Sequence, residues 1–373
     1  MTDVPGGDLF GGAYRGRRVF VTGHTGFKGS WLAHWLLELG AEVTGYALEP
    51  PTDPSLFLEL RLGERLDHHI GDVRDPAALR QAMLAARPEV VFHLAAQPRV
   101  RLSYDQPVET FETNVMGSVN VLEAARGVDS VRAIVNITSD KCYDNREWVW
   151  GYRENDPLGG RDPYSASKGA AERVFHAYRQ SFFPPEQAGK HGLGLASARA
   201  GNVVGGGDWA PDRIVPDCVR ALSAGEPIQV RNPDAIRPWQ HVLEPVSAYL
   251  WLASRLFEEG HAFEGPWNFG PISGGNLAVH DIVDRVIAEW GSGSWTGPEP
   301  GAQQVHEARF LKLDCAKAVD VLAWRPVWDA AEALRQTTRW YRRRHEGQAV
   351  PQLTADCLAH YVEAAKQAGV AWS

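Results

Sequence analysis

From residue 18 to about residue 200, short apolar runs alternate with longer amphipathic stretches. Arg18-Val19-Phe20-Val21-Thr22 has the make-up of a buried strand, and Phe27 to Leu39 carries apolar residues at helical spacing up to Gly40, a C-terminal stop. Glu42 to Tyr46 reads as a second strand, which completes a βαβ unit. Further strands are expected at Leu66 to Gly71, Val90 to Leu94, Ala133 to Ser139 and Leu193 to Arg199. Helices are expected between them at Pro76 to Ala86, Val108 to Arg126 and Pro163 to Phe182. Strands that alternate with helices predict an α/β fold of Rossmann type, a doubly wound parallel sheet. After Arg199 the rhythm breaks into mixed helices, short strands and Pro-rich loops. Residues 17–200, with returning segments near 240–270, are read as the dinucleotide-binding domain, and 201–373 mainly as a smaller mixed α/β substrate lobe.

The 373 residues are long enough for such a core. A formal charge of -8 argues against a nucleic-acid partner, which needs clustered Lys and Arg. Arg342-Arg343-Arg344 ends a helix expected at Ala330 to His345 and reads as a solvated end that complements the helix dipole. Cys142, Cys218, Cys315 and Cys357 are scattered without zinc-ligand spacing, so no metal is expected and a reduced, cytoplasmic chain is the simplest reading. The Gly-rich first 17 residues lack the apolar core of a signal peptide, and no apolar run is long enough to span a bilayer. The 14 tryptophans are expected mostly in core packing.

Chemistry concentrates in three places. Gly23-His24-Thr25-Gly26-Phe27-Lys28-Gly29 follows a strand and opens a helix, where backbone amides can approach a pyrophosphate. A tight packing turn would use the same glycines. Tyr164 and Lys168 lie four apart near a helix start and so share a face; an adjacent ammonium and a nicotinamide cation would favour the phenolate. Ser139-Asp140-Lys141 ends a strand on the sheet edge where such folds bind ligands, and offers an acid and a base; a salt-bridged surface turn is the alternative. Asp72, before Val73, either accepts from an adenine amino group or caps the helix that begins at Pro76. Leu94-Ala95-Ala96 are small where a cofactor would lie against backbone, though packing alone explains them too. The end of the second strand has no acid at Ala47, and Glu49 lies slightly beyond; with no arginine close behind, NAD is favoured over NADP.

Taken together, these segments resemble the extended short-chain dehydrogenase/reductases, and within them the nucleotide-sugar 4,6-dehydratases. Gly23 through Leu32, Pro50-Pro51-Thr52, Ser139 through Tyr143 and Gly201 through Trp209 carry the resemblance, which runs from about Val19 to Trp328. They are similar to the branch that acts on CDP-glucose; the related dTDP-glucose branch has Thr-Asp-Glu where this chain has Ser139-Asp140-Lys141. Lys141 therefore stands in the place of a carboxylate base, and must be neutral to accept a proton.

The resemblance implies a lyase that uses NAD catalytically, in deoxysugar synthesis for surface polysaccharide such as O-antigen. Tyr164 would take the proton of the glucose C4 hydroxyl, Ser139 would hold that hydroxyl, and Lys168 would grip the nicotinamide ribose and lower the Tyr164 pKa. Asp140 would protonate the departing C6 hydroxyl while Lys141 helps remove the C5 proton. Asn114 is assigned to the cofactor side of the site, where it would stabilise the active-site geometry, although a polar residue in helix packing would look the same. Gln97, Arg101 and Ser103 are expected near the sugar, and Asn202, Arg213, Arg237, Trp239 and Arg309 near the diphosphate and nucleotide. A homodimer through the helices of Asn114 and Tyr164 is the family's common assembly. A 4-epimerase would need the tyrosine and lysine but not the Asp140-Lys141 pair, and a catalytically silent NAD sensor would need neither.

Overall fold

A computed structural model of the chain describes residues 8–272, 275–298 and 311–373. Six strands, β1 (Arg18–Thr22), β2 (Glu42–Ala47), β3 (Asp67–Ile70), β4 (Val90–His93), β5 (Ala133–Ile137) and β6 (Gly194–Ala200), form the first part of the sheet. Two short strands, β7 (Asn202–Val204) and β8 (Ile236–His241), precede β9 (Gly265–Phe269) and β10 (Asn276–Ala278). The main sheet has the order β9-β6-β5-β4-β1-β2-β3 and every neighbouring pair is parallel. Strand order reverses between β1 and β4, which opens a crevice at their carboxyl ends.

Alternation of side chains divides the core into two faces. Phe20, Val91, Ile134 and Leu195 point to one, under α2 (Pro76–Ala86), α3 (Gly117–Arg126) and α4 (Pro163–Ser181). Val21, Phe92, Val135 and Ala196 point to the other, which joins the larger core with α1 (Phe27–Glu38). That core also takes in α5 (Ile214–Ala224), α6 (Leu243–Glu259), α7 (Val279–Trp290), α8 (Ala330–His345) and α9 (Val350–Ala368). Parallel strands covered on both faces need continuous apolar runs, which is why β4, β5 and β6 are buried along their whole length. β7, β8 and β10 make a separate three-stranded sheet beside the crevice. The chain's end returns to the first lobe: the Trp372 ring stacks on Phe10 at 5.1 Å and on Tyr361 at 5.8 Å, against Trp35 of α1.

One expected element differs. The helix anticipated over Val108 to Arg126 is interrupted by a wider π turn at Glu112–Met116, with an α-helical turn at Pro107–Phe111 before it and α3 after it. Asn114 lies inside this turn and is buried with both ends of its amide bonded, a geometry that the site below explains. At the end of α8, the arginines are less solvated than expected. Arg344 pairs with Glu59 and lies over the Trp209 ring at 4.7 Å, while Arg343 faces Asp356 at 3.6 Å.

Candidate active site

A cavity of about 980 Å³ lies along the carboxyl ends of the strands and crosses the β1/β4 switch point. The glycine-rich loop forms its floor. Gly23 has φ +75°, and a Cβ there would stand 2.7 Å from the Ala95 amide nitrogen, so only glycine lets β1 turn against the end of β4. A Cβ on Gly29 would stand 2.1 Å from the Gly23 carbonyl, which fixes close packing of α1 on the loop. The first amides of α1, which have no partner within a helix, therefore face the cavity beside Gly26. Thr25 ties the loop to β2 by donating to the Leu48 carbonyl at 2.9 Å. His24 turns the other way: its ring lies where a Cβ of Gly45 would be and bonds His68 at 2.7 Å, and burial pushes it down to about 3.

The loop residues Thr25, Phe27 and Lys28 line the cavity, as do Asp72, Val73, Leu94, Ala95 and Ala96. Thr22 shapes that wall by accepting from the Leu94 and Ala95 amides, both at 3.2 Å. The alternative role for Asp72 is settled against capping, because Asp75 is the residue that caps α2. Asp72 is instead clasped by Arg74 at 2.8 and 2.6 Å. Partial burial opposes its ionisation, but the Arg74 bonds outweigh this and hold the carboxyl below its ordinary range. Arg74 carries no sequence signal apart from its closeness to Asp72.

Tyr164, Lys168, Ser139, Asp140 and Lys141 meet at the other end of the loop, all lining the same cavity. Ser139 Oγ donates to Asp140 Oδ1 at 3.0 Å and accepts the Lys141 amide at 3.2 Å, so the triplet is a wound turn and not a surface salt bridge. Asp140 Oδ2 is buried without a hydrogen-bond partner, an arrangement suited to meeting a ligand. Burial pushes the Tyr164 phenol up to about 12, against a Ser139 hydrogen bond and the Arg213 charge. Here the cation that opposes burial is Arg213, where the sequence pointed to Lys168. Lys168 is itself pulled down to about 8 by burial, with Glu172 opposing.

Gln97, Ser103 and Asn114 stand behind the wall and do not line the cavity, with Asn114 holding the geometry of the site as the sequence suggested. Asn114 Oδ1 accepts the Gln97 amide at 2.8 Å, and its Nδ2 donates to the Gln97 carbonyl and to Ser167 Oγ. Ser167 in turn donates to the Tyr164 carbonyl at 2.7 Å, so the π turn clamps the loop after β4 to the tyrosine's helix. The Gln97 side chain is spent on Arg99 and Thr110, and Ser103 Oγ accepts the Tyr164 amide at 3.1 Å. All three position the site and do not face its contents. Beneath Ser139 and Lys168 a buried pair does similar work: Glu172 accepts from Arg199 at 2.8 Å, from Ser197 at 2.7 Å and from Thr138. Sequence reading missed it because a Glu four residues after Lys168 looks like any solvated helix charge.

Arg101, Asn202, Arg237 and Trp239 line the cavity, as does Arg213, whose charge acts on Tyr164, while Arg309 lies outside the described residues. Arg213 is held by Asp208 at 2.7 Å. Arg99, Gln229, Arg231 and Asn232 also line the cavity and were missed. Their spacing along the chain follows no periodicity; Arg99 comes from the loop after β4, and Gln229 to Asn232 from the short strand Ile228–Gln229 and the residues after it.

A model of the NAD dependent epimerase/dehydratase family matches residues 19–264. A CDP-glucose 4,6-dehydratase of Salmonella typhimurium is 56% identical over 330 residues, 88% of this chain and 91% of that protein. A dTDP-glucose 4,6-dehydratase of Streptomyces antibioticus is 30% identical over 335 residues, 87% of this chain and 92% of that one. Among solved structures, the UDP-glucose 4-epimerase of Thermus thermophilus in complex with NAD superimposes with a TM-score of 0.70 at 27% identity, over 87% of this chain and 99% of its own. The dTDP-glucose 4,6-dehydratase of Streptomyces venezuelae, solved with NAD, gives 0.71 at 24% identity over 88% and 98%, a likeness of fold. With its dinucleotide loop, its tyrosine and lysine and its wound Ser-Asp-Lys turn in one crevice, the chain belongs to the NAD dependent epimerase/dehydratase family.

Proposed function

We propose that this protein is an NAD-dependent CDP-glucose 4,6-dehydratase, a hydro-lyase that forms CDP-4-dehydro-6-deoxyglucose and water. The observation that carries the reading is the Asp140 and Lys141 pair beside Tyr164 and Lys168 in one cavity, in a chain 56% identical to an enzyme of that name. Exchange at C4 alone would leave Asp140 without work. The amides at the head of α1, the glycines that admit them and the Asp72 side of the cavity fit a dinucleotide. When bound, NAD supplies a hydride acceptor that is restored within each cycle.

The chain's own groups divide the remaining work. Ser139 and Tyr164 hold the C4 hydroxyl, and Tyr164 takes its proton. Lys168 holds the nicotinamide ribose. Asp140 protonates the leaving C6 hydroxyl while Lys141 removes the C5 proton and later returns it. Arg101 lies toward the sugar, and Asn202, Arg213, Arg237 and Trp239 receive the diphosphate and nucleotide. Residues 17–200 thus serve the cofactor, and 201–373 mainly the sugar nucleotide. The exposed Tyr104, Val108, Phe111 and Met116, near the helix of Tyr164, support a homodimer that covers them. Four buried free cysteines, with no described helix long and apolar enough to cross a membrane, support a cytoplasmic enzyme of deoxysugar and O-antigen-type polysaccharide synthesis.

The test is incubation with CDP-glucose, dTDP-glucose or GDP-mannose without added reductant, followed by product mass. Loss of one water from CDP-glucose with no net NADH is expected. Turnover of another sugar nucleotide instead overturns the substrate, and a mass-neutral C4 epimer overturns the reaction.

A further inference from the structure

Lys28 leaves the first turn of α1 and runs into the reacting end of the cavity. Its Nζ donates to the Tyr249 hydroxyl at 3.2 Å and lies 5.5 Å from the centre of that ring. Tyr249 is fully buried on α6, its hydroxyl accepts from Lys28, and the charge of Tyr164 acts on it. The charges that face Lys28 are Lys168 of α4, Arg213 ahead of α5, and Asp140 of the turn after β5. Two cations thus face it against one anion. Burial first, then Arg213 and Lys168, draw its amine down to about 7, with Asp140 opposing. An amine so balanced responds to any nearby change of charge.

Resting on the dinucleotide reading above, we propose that Lys28 stores a proton in step with the redox state of the bound nicotinamide, as a free amine beside the oxidised ring and an ammonium beside the reduced one. Oxidation of an alcohol at C4 gives up a hydride and a proton. The hydride removes the ring's positive charge. The hydroxyl's proton goes to Tyr164 and then, past the Tyr249 hydroxyl, to Lys28 Nζ. Asp140, which faces Lys28, gives its own proton to the departing water and is recharged by the Lys28 proton only when the hydride is handed back. Hydride and proton are thereby both held inside the site, and no further oxidant or reductant is required. A lysine on a dinucleotide loop reads from sequence as a phosphate contact; only the fold turns it toward Tyr249.

The test needs no sugar. NAD and NADH are titrated separately into the protein by calorimetry in buffers of different ionisation heat, between about pH 6 and 8.5. NADH is expected to bind with extra proton uptake, so that its affinity relative to NAD rises up to about tenfold for each unit the pH falls. Lys28→Met should flatten that dependence. Lys28→Arg should flatten it as well, while weakening NAD relative to NADH at every pH. Equal proton uptake for both cofactors in the unaltered protein overturns the proposal, as does a slope that survives in Lys28→Met. Failure of either cofactor to bind overturns the dinucleotide reading itself.

Discussion

Replacing Glu172 with Gln should destabilise this protein more than any loss of surface charge could. Glu172 and Arg199 pair at 2.8 Å with each side chain only 3% exposed. Burial works against the carboxylate, but Arg199 and the hydroxyls of Thr138 and Ser197 outweigh it and hold the carboxyl below its ordinary value. Glutamine keeps the shape but removes the charge, and turns one acceptor into a donor facing hydroxyls and a guanidinium. Arg199 would be left with Tyr143 and the Glu154 carbonyl, and its Nε already lacks a partner. Breaking one side of a buried pair costs about 3–5 kcal/mol, a large share of a total stability of about 5–15 kcal/mol. Urea unfolding measures it. The double variant Glu172→Gln/Arg199→Met removes the stranded charge and should recover part of the loss. A Glu172→Gln variant within about 1 kcal/mol of the parent, or a double variant no better than the single, refutes the reasoning. Because the folded pKa is depressed, the stabilisation is present above the unfolded value and should fade as pH falls through the folded one.

Asp140→Asn should slow water elimination about a hundredfold or more while sparing oxidation, so that bound NADH accumulates in single-turnover absorbance; equal slowing of both half-reactions counts against Asp140 as the acid. Gly23→Ala should weaken NAD binding at least about tenfold by calorimetry, since φ +75° and a Cβ 2.7 Å from the Ala95 nitrogen leave the loop no room. Glu244 accepts the Val327 and Trp328 amides and the Tyr361 hydroxyl, yet burial raises its carboxyl from 4.5 to about 7. A raised acid favours the protonated folded state, so its contribution should be full below the unfolded value and shrink by up to about 1.4 kcal/mol per pH unit through that interval. Urea unfolding of the parent and of Glu244→Gln at several pH values checks this, and parallel pH profiles would contradict it.

The βαβ rhythm is legible in the sequence because a parallel sheet buried on both faces forces apolar runs, and a dinucleotide loop forces glycines where a Cβ has no room. Phe20 and Val21 show how local that information is: adjacent residues, two faces, two core clusters. The reacting groups are legible because each motif is short and sits at a strand or helix end. What sequence cannot convey is the direction a polar side chain takes once buried. Asn114, Gln97 and Ser103 follow the strand β4 that ends at the cavity, yet their side chains turn away into bonds with the wall and with the helix of Tyr164. The π turn at Glu112–Met116 is equally silent, since no residue type marks it, although Asn114 within it bonds across two elements. Arg231 and Asn232 reach the cavity from just beyond the short strand Ile228–Gln229, which pairs with Trp295–Thr296 far along the chain.

The side chains of the site alone are poorly charged for its chemistry, and this sets a last prediction. Tyr164 near 12 must fall to about 8 to act as a base at mildly alkaline pH, a change of about 5.5 kcal/mol. A unit charge about 4 Å away supplies roughly 4 kcal/mol at an effective dielectric constant of 20. One cation is therefore too little and two are enough. Lys168, drawn down to about 8, carries only part of a charge at that pH until an anionic diphosphate favours its ammonium. Binding of NAD brings both the diphosphate and a ring cation, so it should lower the Tyr164 pKa by several units in a step that no single side chain accomplishes. Near-ultraviolet difference spectra of the NAD complex against the free protein should show a phenolate at a pH where the free protein has none, and Tyr164→Phe should abolish it. If phenolate appears at the same pH with and without NAD, the tyrosine is not recruited by charge, and its proton must leave by a route that starts from the neutral phenol.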